Sequence, residues 1–237
     1  MTPSLATGPA AARSPAVFAA MVPSAARPVP VAPPALWGDD ACACDRDQVI
    51  FSEGDPATSV RIVTSGMVRI LRMMPDGRRQ IVGFLQPGDM LGLALTGSYL
   101  YSAEAVTPVT LRRLSRFQFD ALLDRDPDLR RRLLAATATE LQVAQDQMLL
   151  LGRKTATERL ASFLLRQARR LTPEPEDHCR ISLPMTRTDI ADFLGLTMET
   201  VSRAFTKLKT SRHIRLLPDQ MVELLDIAAL TDLSEGC

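Results

Sequence analysis

Histidine is nearly missing from this sequence: there are two, His178 and His213, both late in the chain. No GxSxG, HExxH or GxxxxGKS/T segment is present. A serine hydrolase, a zinc protease or a P-loop enzyme would need one of these arrangements, so catalysis is not expected. Cysteine is scarce as well. Cys42, Cys44, Cys179 and Cys237 are too few and too scattered for a disulfide scaffold, and they read as free thiols in a reducing compartment. No run approaches 18 consecutive apolar residues, which excludes a transmembrane helix. Acid is lacking from Met1 to Gly38, where the only charged side chains are Arg13 and Arg27. Prolines at 3, 9, 15, 23, 28, 30, 33 and 34 interrupt any apolar core that a signal peptide would need. The mature protein is therefore expected in the cytoplasm, with no membrane partner.

What is present is a patterned chain of 237 residues with 46% apolar side chains and a formal charge of +1. That length allows one large domain or two small ones. Residues 1–40 are an Ala/Pro-rich arm whose composition does not offset the entropy of ordering, so it reads as disordered. From Gln48 the texture becomes β-type, with turn signals between short runs. Val49 to Phe51, Val60 to Thr64, Met67 to Met73, Gln80 to Leu85, Ala103 to Thr107 and Val109 to Leu114 are the expected strands. Gly54-Asp55-Pro56, Pro75-Asp76-Gly77 and Pro87-Gly88-Asp89 are the turns. Such close spacing argues a small antiparallel barrel or sandwich over 41–126.

A helical region opens at Pro127 and Asp128 and runs to about 152. Leu134, Thr137, Leu141, Ala144, Met148 and Leu151 fall at alternating spacings of three and four, a coiled-coil seam. A single amphipathic helix lying on its own barrel would give a similar stripe. The polar opposite face (Arg131, Thr139, Gln142, Gln145, Asp146) favours a second copy of the chain, hence a homodimer. Gly152 ends the pattern. Residues 153–237 then hold a helix from about Thr155 to Leu171, an exposed Pro173 to Asp177 loop, a short strand from Arg180 to Leu183, two short helices and a hairpin.

The two short helices carry the function. Thr186 caps the first, with Asp189 in a capping-box variant, and Ile190, Ala191 and Leu194 form its apolar face. Gly195 supplies the turn. Thr197 caps the second, which buries Val201, Phe205 and Leu208. Two short helices joined through a glycine turn make a helix-turn-helix. The outward stripe of the second helix is Glu199, Ser202, Arg203 and Thr206. A DNA-reading helix presents such groups to base edges: Arg bonds guanine O6 and N7, and Glu accepts from the cytosine amine. Taken singly, Glu199 is also a dipole-favoured first-turn acid and Arg203 a phosphate contact. Thr186, Arg187, Thr188, Thr197, Thr200, Thr206, Lys207, Lys209 and Arg212 are the candidate contacts to the DNA backbone. From Thr200 to Leu217 there is no acid, and the hairpin His213–Leu217/Met221–Leu225 reads as a wing that brings Arg212 and Arg215 near phosphates.

Residues Thr188 to Arg203 (TDIADFLGLTMETVSR) resemble the recognition motif of the CRP/FNR superfamily of bacterial transcription regulators, with the FixK branch the nearest pattern. Thr157 to Leu164 (TERLASFL) is similar to that family's hinge helix, and Gln86 to Asp89 (QPGD) and Ser102 to Val106 (SAEAV) resemble its sensory β-roll. The resemblance implies an α+β protein: an N-terminal antiparallel β-roll of the cyclic-nucleotide-binding type, a long dimerisation helix and a C-terminal winged helix-turn-helix. It implies a homodimer on palindromic double-stranded DNA that recruits RNA polymerase as an activator. CRP-type members carry Arg before the Glu of this motif; here that residue is Met198, so Glu199, Ser202 and Arg203 imply the FNR-type site TTGAT-N4-ATCAA. The family's cyclic-nucleotide binders place Glu on the ribose and Arg on the cyclic phosphate, where this chain has Leu93 and Tyr101, so cAMP is not expected. An FNR-type cluster takes four thiolates, and no cysteine lies between 45 and 178. Haem through a β-roll histidine is excluded by the same count of histidines, and no cofactor is expected. The FixK branch implies low-oxygen, nitrogen-fixation or anaerobic-respiration targets. An effector-gated β-roll, a redox handle at Cys179 assisted by Arg180, and a β-roll acting as a protein-interaction module are the alternatives.

Overall fold

The computed structural model describes residues 40–94, 97–135, 137–138, 145, 154–172 and 174–235. The N-terminal arm and four of the six seam residues (Leu141, Ala144, Met148 and Leu151) lie outside them.

Two four-stranded antiparallel sheets form the N-terminal roll, with strand orders β1-β8-β3-β6 and β2-β7-β4-β5. The strands are β1 (Ala41–Cys44), β2 (Val49–Phe51), β3 (Ser59–Ser65), β4 (Val68–Met73), β5 (Arg79–Leu85), β6 (Met90–Leu91), β7 (Ser102–Ala105) and β8 (Val109–Ser115). Alternate side chains point inward because the strand period is two. Val68 and Ile70 of β4, Leu85 of β5, Ala103 and Ala105 of β7 and Leu111 of β8 thereby meet in one buried cluster. The hairpin between β4 and β5 closes with Met74 N–H donating to Arg78 C=O at 2.8 Å. Gly66, between β3 and β4, has φ +80° and lies so close to the chain at Pro108 that a Cβ there would stand 2.2 Å from its carbonyl oxygen. Only glycine fits that crossing.

Two helices follow. Helix α1 (Arg116–Arg125) is capped by Ser115 and Gln118 in a capping box and buries Phe119. Asp126 accepts from Leu129 N–H at 2.9 Å and starts α2, residues 127–135, with Pro127 in its first turn. Phe119 and Leu129 pack with Val60, Ile62 and Leu114 on the outer side of the roll.

The C-terminal part contains α3 (Ala156–Leu171), β9 (Cys179–Ser182), α4 (Arg187–Leu194), α5 (Met198–Thr210), β10 (Ile214–Leu216), β11 (Met221–Leu224) and α6 (Ile227–Glu235). The three strands form one antiparallel sheet, β10-β11-β9. Its tight turn puts Asp219 and Gln220 at φ +55° and +58°, the paired left-handed residues of a hairpin turn. Helix α3 is set by Thr155 and Glu158 and buries Leu160, Phe163, Leu164 and Leu165. Its core is shared with the roll: Met67, Leu71, Ile81, Phe84 and Val106 belong to the same buried cluster as α3, α4 and α5. Phe84 stands 6.3 Å from Phe163 and 5.6 Å from Phe193, ring centre to ring centre. Beside it, the buried carboxylate of Asp89 pairs with Arg170 of α3.

The expected α+β architecture is observed. Strands β1 and β6 and helices α1 and α6 add to the elements that the sequence pattern predicts. Among the described residues, no helix is long and apolar enough to cross a membrane.

Candidate nucleic-acid interface

Helix α4 starts where Thr186 Oγ1 accepts from Asp189 N–H at 3.0 Å while Asp189 Oδ2 accepts from Thr186 N–H at 3.0 Å. It stops at Gly195, whose φ of 63° and ψ of 42° are the left-handed conformation a helix terminus needs here. Two residues later Thr197 Oγ1 accepts from Thr200 N–H at 3.2 Å and starts α5. Val201, Ala204, Phe205 and Leu208 are the buried stripe of α5. This inward stripe fixes which side chains face out. They are Met198, Glu199, Ser202, Arg203, Thr206 and Lys207, all exposed.

Ser202, Arg203, Thr206 and Lys207, joined by Thr210 and Ser211, line a shallow solvent-open recess of about 470 Å³. Thr210 and Ser211 escaped the sequence reading because they lie beyond the first two turns, where base-reading groups are sought. The Glu199 carboxyl is held below the usual glutamate range by its own backbone N–H, then by the Thr197 hydroxyl, with Arg203 adding attraction. Glu199 is thus a fixed anion beside a cation, an acceptor next to a forked donor.

The candidate backbone contacts separate into groups. Thr188, Lys207, Lys209 and Arg212 are exposed. Thr186 donates its hydroxyl to Asp189 at 2.8 Å, Thr197 and Thr200 pair their hydroxyls at 3.0 Å, and Thr206 donates to Ser202 C=O at 3.0 Å. Arg187 departs from the expected row. Its guanidinium lies over the Phe205 ring, 3.2 Å from the centroid, and is half-buried. Burial pushes its pKa down. The side chain braces α4 against α5 by a cation–π contact instead of reaching outward. On the wing, exposed Arg215 is tied to Glu223 at 2.7 Å, and Arg180 to the same carboxylate at 3.1 Å. Glu223 is the missed residue. It stands directly across from Arg215 in the β10/β11 ladder, so a count of charges along 200–217 did not include it.

Residues 43–126 match the cyclic nucleotide-binding domain and residues 158–233 the Crp-like helix-turn-helix domain. The transcriptional activatory protein AadR of Rhodopseudomonas palustris is 45% identical over 179 residues, covering 76% of this chain and 74% of AadR. The nitrogen fixation regulation protein FixK of Bradyrhizobium diazoefficiens is 43% identical over 187 residues, covering 79% and 78%. The structure of FixK2 from Bradyrhizobium japonicum superposes with a TM-score of 0.75 at 40% identity, covering 81% of this chain and 96% of that one. The chain belongs to the CRP/FNR family of transcription regulators. Proteins of this family bind DNA, typically as dimers, and the relatives are named transcriptional regulators rather than enzymes.

In this family member three aromatic rings, Phe51, Tyr99 and Tyr101, stand in the interior of the roll. Phe51 and Tyr99 stack at 3.9 Å, and Tyr101, 2% exposed, accepts from Gly92 N–H at 3.2 Å. Leu93 packs with the Phe119 cluster. Cys179 is half-buried against the C-terminal core, and burial alone pushes its thiol up. The assistance expected from Arg180 is not arranged, because successive strand residues face opposite ways and Arg180 is drawn to Glu223. Of the seam, Leu134 is 71% exposed and Thr137 is exposed, donating to Leu133 C=O at 2.9 Å. Among the described residues, no group of three or more His, Cys, Asp or Glu side chains is placed to hold a metal ion.

Proposed function

We propose that the chain is a homodimeric activator that reads the palindrome TTGAT-N4-ATCAA without a small-molecule effector and recruits RNA polymerase to low-oxygen or nitrogen-fixation genes. The observation that carries the reading is the outward row Glu199, Ser202 and Arg203 on α5, flanked by apolar Met198. Arg203 reads guanine through its forked donors and Glu199 accepts from a cytosine amine, while Met198 offers only apolar contact, suited to a thymine methyl. Exposed Thr188, Lys207, Lys209 and Arg212 meet phosphates and set the register. The nitrogen-fixation name of the FixK relative supports the physiology. Independence from cyclic nucleotide is supported by the resemblance, which puts Tyr101, a side chain without a cation, where the family's cyclic-nucleotide binders have arginine. Leu134, apolar and 71% exposed, supports a partner helix along the seam.

Fluorescence anisotropy tests the proposal. The purified protein, with no added ligand, is titrated at one salt concentration against the TTGAT-N4-ATCAA duplex, a CRP-type duplex and a scrambled one. Selective binding to the first is expected. Equal weak binding to all three would overturn effector independence, and selectivity for the CRP-type duplex would overturn the assignment of Met198.

A further inference from the structure

We propose that the β-roll itself positions the DNA-reading helix, through Arg69 and Arg79 gripping the first helix of the pair at Asp189 and Asp192. The inference rests on the reading of α5 given above. Arg79 of β5 donates from Nη2 to Asp189 Oδ1 at 2.7 Å and from Nε to Asp192 Oδ2 at 2.8 Å. Arg69 of β4 reaches the same Asp189 oxygen at 3.5 Å. The neighbouring Gln80 donates to the Asp192 carbonyl at 2.7 Å.

Arg69 is itself held on the roll side, by Glu104 at 2.7 Å and Asp47 at 3.1 Å. Asp189 has its other oxygen fully used by Thr186, as the cap of α4. One carboxylate, 2% exposed, thus starts the helix and accepts two guanidinium groups from the other domain. The Phe84–Phe163–Phe193 cluster backs the grip with apolar contact that has no direction of its own. Forked, charge-assisted bonds to two carboxylates one helical turn apart are directional, so they fix the rotation of α4 about its own axis. Through its buried face α4 carries α5 with it, and α5 keeps its outward row free of the roll.

A dimeric reader must present both α5 helices about one turn of DNA apart, so the orientation of each matters to both half-sites. If the grip is released, only a fraction of molecules holds the competent orientation, and apparent affinity falls by that fraction. Arg79→Ala is therefore expected to weaken operator binding by about tenfold, corresponding to a competent population of roughly one in ten. Affinity for the scrambled duplex, which needs only phosphate contacts, stays within about twofold. Asp192→Ala leaves the bond from Arg79 to Asp189 and is expected to weaken operator binding less, and the double variant loses no more than Arg79→Ala, which already removes both bonds. Arg79→Lys keeps the charge, loses the fork and falls in between.

All are measured on the full chain by anisotropy, with circular dichroism showing each variant folded; if Arg79→Ala does not fold, Arg79→Lys and Asp192→Ala carry the test. Unchanged operator affinity in the folded variants overturns the proposal. So does a gain, which would make the grip inhibitory, or an equal loss on both duplexes. Arg203→Ala runs alongside: if it leaves operator preference intact, the reading by α5 fails, whatever Arg79 does.

Discussion

Arg203→Ala separates base reading from simple charge attraction. Arg203 is exposed on α5, so its removal leaves no buried group unsatisfied. Its attraction to Glu199 is that of an exposed i,i+4 pair, screened by solvent, so its loss is expected to leave Tm nearly unchanged. A lost guanine fork costs roughly 1–3 kcal/mol per base pair. Two half-sites double this to about 2–6 kcal/mol, or from about 30-fold to about 2 × 10⁴-fold in operator affinity. The scrambled duplex should lose far less, because there Arg203 supplies only one charge per subunit. Arg203→Lys sharpens the contrast, since it retains the charge without the fork. The assay is anisotropy on operator, scrambled and single-base-substituted duplexes at two salt concentrations, with Tm read by differential scanning calorimetry. The reasoning is refuted if Arg203→Lys restores operator binding in full, or if Arg203→Ala weakens both duplexes by the same factor. Either result would make Arg203 a phosphate contact.

Phe84→Ala opens a cavity among Phe163 and Phe193, where the ring is 6% exposed, and is expected to cost about 3–5 kcal/mol. That corresponds to a fall in Tm of roughly 6–20 °C, checked by calorimetry. Leu134→Glu places a charge on the exposed seam residue and is expected to shift the population from dimer to monomer, read by analytical ultracentrifugation. The Glu158 carboxyl is held below its usual range by the backbone N–H of Thr155, then by its hydroxyl. A depressed acid contributes stability above the unfolded-state pKa and loses it as pH falls through the folded value. The urea midpoint of Glu158→Ala should therefore lie below that of the parent at pH 7 and converge on it as the pH is lowered past the ordinary glutamate range.

What the sequence made legible was local. Thr186 with Asp189, Gly195 and Thr197 lie within twelve residues and fix two helix starts and one stop, each through a bond that hardly depends on the rest of the fold. The β4/β5 hairpin was legible for the same reason. The missed elements lack such signals. Strand β1 is four residues, Ala41–Cys44, without a β-branched side chain, and it is held by pairing with β8 some 70 residues away. Helix α1 buries one residue, Phe119, so it has little periodicity to detect, although Ser115 and Gln118 spelled its capping box. Arg187 reads as an outward cation, and Arg215 as an unpaired one, because nothing near them in sequence says otherwise. Phe205 lies eighteen positions on, and Glu223 becomes a neighbour only when the hairpin folds.

Glu223 changes the electrostatic argument for the whole C-terminal domain. Counted along the chain, residues 200–217 are purely basic, and every cation there invites assignment to a phosphate. Counted in space, Glu223 takes up Arg180 and Arg215 from the two strands flanking its own. Its carboxyl is held down chiefly by the bond from Arg180, with attraction from both arginines, so it remains an anion wherever DNA is bound. One anion thereby offsets part of the wing's two positive charges, while α5 and the turn after it expose Arg203, beside Glu199, with Lys207, Lys209 and Arg212. Arg203 and Lys207 stand in the lining of the recess itself. A field focused there draws the phosphate backbone to the face that carries Glu199 and Ser202, so positioning and reading belong to the same side of one helix. Removing Glu223 would free two arginines on the wing and strengthen binding to any DNA, at the expense of the preference for one sequence.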